Sequence, residues 1–135
     1  MSAPPLYPLP RPFQREQAQL QRHGIGSWAE LAALTDAELR QLASAGGALE
    51  RQLRKLRGQA QLITDLELEP HEAALLLYAG IASSQGLAAA SPQQLITQLG
   101  RLERSLLGMA PPRVDAATVR RWIQRAQARS SRSAN

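Results

Sequence analysis

The residues of this 135-residue chain that could do chemistry are few and widely spaced. Histidine occurs twice, as His23 and His71, and cysteine not at all, which excludes disulfides and thiolate metal sites. A metal site would need both histidines plus carboxylates from distant segments, a poor match to the convergent ligand sets of stable sites. Four acids, Asp65, Glu67, Glu69 and Glu72, crowd the chain around Pro70. Where one helix ends and another begins, such charges read as helix-end electrostatics rather than as a general acid–base pair. No nucleophile elbow, phosphate loop or dinucleotide fingerprint is present. The expectation is a non-enzymatic protein with no catalytic residue, metal, cofactor or small-molecule substrate.

Arginine is what the chain has in quantity. Fifteen of its 16 basic residues are arginine, and the formal net charge is +5. Residues 101–135 hold eight arginines against two acids, Glu103 and Asp115. Arg121, Arg125 and Arg129 recur every four residues, opposite the apolar Val119, Trp122, Ile123 and Ala126. Like charges at this spacing repel along a helix, so the row points to an anion from outside. The guanidinium is well shaped for phosphate. A second group, Arg51, Arg54, Lys55 and Arg57, flanks the middle of the chain. The plainer alternative for both groups is a solvated helix face.

Two short turns stand out beside these charges. Gly24-Ile25-Gly26-Ser27 and Gly80-Ile81-Ala82-Ser83 lie 56 residues apart, and the match continues at the same offset. Leu31-Ala32-Ala33 aligns with Leu87-Ala88-Ala89, Thr35 with Ser91, and Leu39 with Leu95. The pattern predicts an internal duplication in which a glycine at positive φ ends one helix and a hydroxyl caps the next. A Gly-hydrophobic-Gly turn between short helices is the hairpin of the helix–hairpin–helix class. There, amides at a helix N-terminus meet a DNA phosphate. The first turn has that pattern in full, and the second lacks its last glycine. Both carry serine after the turn, Ser27 in one and Ser83-Ser84 in the other, where DNA-binding hairpins often place Lys or Arg.

The elements that must hold these turns are helices. Apolar residues make up 44 % of the chain and aromatics only 4 %, so leucine and alanine, both strong helix formers, build the core. The spacing predicts helices over 14–23, after Ser27, after Thr35, over about 48–66, from Pro70, from Ser91 and after Asp115. Leu49, Leu53, Leu56, Ala60 and Ile63 form one apolar stripe, and Leu95, Leu99, Leu102 and Leu106 another. Gly46-Gly47, Gly108 and Pro111-Pro112 act as breaks. Residues 1–13 hold five prolines and read as a flexible leader, with packing of Leu6, Tyr7 and Phe13 on the domain as the alternative. Trp122 is expected in the core. Trp28 is expected to cover the leader near Phe13, with an exposed docking role as the other option.

The segments "LRKLRGQAQLI", "EAALLLYAGIASSQGLAAASPQQL" and "VRRWIQRA" resemble the bacterial family catalogued as domain of unknown function 4332. That family is similar to the helix–hairpin–helix modules of topoisomerases and repair proteins. The resemblance implies a helical fold and DNA binding. The combined expectation is an all-α protein with tandem helix–hairpin–helix units in one compact domain over 14–129. The repeats fall at about 14–66 and 69–129, with a polar tail at 130–135. Gly24, Ile25, Gly26, Ser27, Gly80, Ile81, Ala82, Ser83 and Ser84 would meet nucleic-acid backbone, DNA before RNA, with Arg121, Arg125 and Arg129 supplying attraction. An adaptor for an acidic or helical protein partner is the alternative. No signal segment or long apolar run is present, so a cytoplasmic protein with no membrane partner is expected.

Overall fold

Leucines and alanines at three- and four-residue spacing produce eight α-helices among the described residues, and no strand. The computed structural model describes residues 4–107 and 115–133. A 3-10 turn (Arg11–Phe13) leads into α1 (Gln14–Arg22), α2 (Trp28–Ala32), α3 (Asp36–Ser44) and α4 (Glu50–Leu66). Then come α5 (Pro70–Tyr78), α6 (Ser84–Ala88), α7 (Pro92–Leu107) and α8 (Ala116–Ser133). The protein is all-α. Helix α2 packs on α4 as α6 packs on α8, and α3 lies on α4 as α7 lies on α8. Helix α4 also touches α5, α6 and α8, so it is the element the two halves share.

The predicted caps account for most helix starts. Thr35 and Glu38 form a reciprocal capping box on α3, and Glu69 and Glu72 form one on α5, where Pro70 takes the first turn. Glu69 and Glu72 thus act as helix-end charges. Asp115 accepts from the Thr118 amide at 2.8 Å at the start of α8. That hydrogen bond holds the Asp115 carboxyl below its usual range. Helix α4 is capped from a distance at both ends. The buried Glu16 of α1 accepts the Leu49 amide at 2.9 Å, and Arg125 of α8 donates to the Leu66 carbonyl at 3.0 Å. A carboxylate at the N-terminus and a guanidinium at the C-terminus both match the helix dipole.

The core runs along α4: Leu53, Leu56, Ala60 and Ile63 are buried as predicted. Leu49 is corrected: it precedes the helix and is 42 % exposed, because α4 begins one residue later with Leu49 as its cap. Leu95 and Leu99 are buried and Leu102 partly so. The side chain of Leu106, and Gly108 and Pro111-Pro112, lie outside the described residues. Trp122 is buried. Helix α8 continues to Ser133, past the point where a polar tail was expected, while residues 134–135 are outside the description.

The largest correction concerns the leader. Leu6 and Leu9 are core residues, 2 % and 5 % exposed. The Tyr7 hydroxyl donates to the Ile25 carbonyl, and Trp28 Nε1 donates to the Pro5 carbonyl at 3.1 Å. Burial raises the Tyr7 phenol above its ordinary pKa, and the Glu30 carboxylate adds to the effect. A proline-rich segment has no helix or strand period to read. Its buried leucines and these hydrogen bonds tie it down over the first turn.

Candidate nucleic-acid interface

The two turns share one backbone. Gly24 and Gly80 have φ of +76° and +88°, as predicted for the residues that end α1 and α5. In each turn the isoleucine amide reaches back five residues, Ile25 to the Leu20 carbonyl at 2.9 Å and Ile81 to that of Leu76 at 2.8 Å. Each serine then caps a five-residue helix, with Ser27 Oγ accepting from the Glu30 amide and Ser83 Oγ from the Gly86 amide.

Beyond that backbone the turns part company. The Glu30 carboxylate folds back onto the first turn, accepting the Gly26 amide at 3.2 Å and the Ser27 hydroxyl at 3.1 Å. The Ser27–Glu30 pair thus makes an off-register capping box, in which the carboxylate takes the Gly26 amide rather than the Ser27 amide. This carboxylate fills the space at the start of α2. The residue at the Glu30 position of the second turn is Gly86, which has no side chain. Among the described residues, the amides of Ala82, Ser83 and Ser84 have no protein acceptor.

The serine hydroxyls, expected to face phosphate, are engaged within the chain. Ser27 and Ser83 cap their helices, and Ser84 donates to Asp65 at 3.3 Å. What the second turn still offers is backbone N–H. Asp65 on α4 also receives Arg129 at 3.1 Å, so it joins the second turn to the end of the arginine row. The row itself is corrected in part. Arg125 caps α4, Arg129 pairs with Asp65, and Arg121 donates to Thr118 within its own helix. All three guanidiniums thus find acceptors inside the protein, two of them on α4, so the row does not by itself require an outside anion.

The second basic group also divides. Arg54 and Arg57 both bind Asp36, at 3.2 and 2.7 Å, and Arg57 donates to the Leu34 carbonyl. The Arg57 hydrogen bond, with Arg54 beside it, holds the Asp36 carboxyl below its usual range. Arg51 and Lys55 stay exposed with no acidic partner among the described residues. Lys55 lines a groove with Gly80 and Ala82 of the second turn. Beneath that turn lies Gly58 of α4, where a Cβ would collide with the Ala82 carbonyl oxygen. Glu30 was legible only as a capping residue, and nothing in the local pattern marks Gly58.

Structurally, then, the second turn lies on α4 over Gly58, with Lys55 lining the groove on one side and Asp65, which binds Ser84 and Arg129, further along the helix. The first turn lies under the leader. Among the described residues, no group of three His, Cys, Asp or Glu side chains is placed to hold a metal ion. None of the described helices is long and apolar enough to cross a membrane.

The geometry defines an all-α protein with two glycine-ended, serine-capped turns on a shared helix. Over residues 10–129 the chain matches the family described as Domain of unknown function (DUF4332), and it belongs to that family. No curated protein and no solved structure gave a match to it.

Proposed function

We propose that the two halves are duplicated helix–hairpin–helix units. In this reading the chain is a non-enzymatic module that holds nucleic-acid backbone, duplex DNA foremost, without reading sequence. One observation carries the reading. The second turn presents three unpartnered amides at a helix start, beside Lys55 and the Arg125–Arg129 end of α8. Backbone N–H groups left without a protein acceptor suit a phosphate oxygen, and the cations nearby add attraction without base contacts. The first turn contributes to the fold rather than to contact, since Glu30 already fills it.

The test is the salt dependence of binding to labelled random-sequence duplex, followed by fluorescence anisotropy. Affinity is expected to fall log-linearly with salt, with a slope of about −0.9 for each phosphate neutralised. Changing Lys55 to Gln is expected to flatten the slope by about one unit or slightly less, with helix content unchanged. Arg125 and Arg129 are poorer probes because their loss also disturbs α4. Absence of duplex binding at about 50 mM salt would point instead to the adaptor, with the same cations meeting acidic side chains.

A further inference from the structure

Next to the second turn runs a groove of about 390 Å³, within the range of clefts that hold small ligands. One wall is α5, with Ala74, Leu77 and Tyr78, and the other is the leader, with Pro12 and Phe13. Lys55, Gly80 and Ala82 close one side. The lining is mostly apolar, with Gln52 and Gln59 as neutral polar groups, one cation and no acid. Tyr78 is 64 % exposed, whereas both tryptophans are buried and Tyr7 and Phe13 partly so. An aromatic face left in water beside a lone lysine fits a planar, anion-bearing group. It does not fit an acid-lined or purely aliphatic partner.

We infer that this groove takes an unpaired base of single-stranded nucleic acid, stacked on Tyr78, with the adjoining phosphate at Lys55. The inference rests on the backbone reading, because the groove opens onto the same turn. It adds a preference that backbone binding alone does not have. In a duplex the bases are paired and stacked inside, so only a strand with free bases can place one against Tyr78. The phosphate of that nucleotide then falls beside Lys55 and the Gly80–Ala82 backbone.

The probe is a labelled oligothymidine of about 12 nucleotides, within the site sizes of single-strand binders. It is compared by anisotropy with an abasic strand of equal length and with a duplex. The base-bearing strand is expected to bind about tenfold more tightly than the abasic one, as stacking on one aromatic ring supplies. Tyr78→Ala is expected to abolish that difference while leaving abasic and duplex affinities unchanged, and Tyr78→Phe to keep it. Equal binding of the base-bearing and abasic strands, or a preference that survives Tyr78→Ala, would overturn the inference. If duplex still binds in that case, the backbone reading stands and only the base site is lost. If no probe binds, both are lost.

Discussion

The Gly24–Ser27 and Gly80–Ser83 turns have nearly the same φ at glycine, the same long backward hydrogen bond and the same serine cap. Yet one is filled and the other is open. The difference comes down to one position, Glu30 against Gly86, and to what covers each turn. The leader lies over the first through Tyr7 and Trp28, while the second leans its Ala82 carbonyl on Gly58 and leaves its amides free. Backbone geometry therefore sets where an anion could sit. Side chains decide whether the protein has already placed one there.

Removing the leader should have the largest effect and should separate the turns. A chain starting at Gln14 loses two buried leucines, for a destabilisation of about 3 kcal/mol or more in urea unfolding. Amide exchange should rise at Ile25 and Leu31 before Ile81. Near-neutral truncation would mean the leader merely rests on the first turn. The opposite lesion is Gly58→Ala, which forces α4 away from the Ala82 carbonyl and should cost about 1–3 kcal/mol as overpacking. Its chemical-shift changes should centre on residues of the second turn and spare the first.

Smallest and most alike should be Gly24→Ala and Gly80→Ala. A Cβ meets nothing within 4 Å at either site, so only the positive φ is penalised, at about 1 kcal/mol in each case. Costs that differ several-fold would show that the two backbones are not equivalent.

Periodicity made much of this legible. The stripes of α4 and α7, the caps at Thr35 and Asp115 and the positive φ of both glycines all follow from local rules. The short helix α6 was not marked by any stripe and emerged only through its alignment with α2. Interactions across long sequence separations were not legible. Glu16 capping α4, Arg125 capping its other end and Arg129 on Asp65 join residues 33 to 64 positions apart. A helix taken alone shows the repulsion among Arg121, Arg125 and Arg129 and not the acceptors that face two of them from α4. The leader was misread for the same reason: two leucines among prolines have no period, and only the surface beneath them gives them a role.

The central claim is that the second turn, and not the first, meets the phosphate backbone. Gly86→Glu gives the second turn the carboxylate that the first already has, and Gly86→Gln supplies similar bulk without charge. A Cβ at 86 would lie 3.3 Å from Ser83 Oγ, and the first turn carries a side chain at the equivalent position. Duplex affinity measured at fixed low salt is expected to fall about tenfold or more from Gly86→Gln to Gly86→Glu, as a negative charge at an anion site requires. In the first turn, Glu30→Gln should change it by less than about twofold. Equal binding by the two Gly86 variants, with fold intact by circular dichroism, would contradict the account.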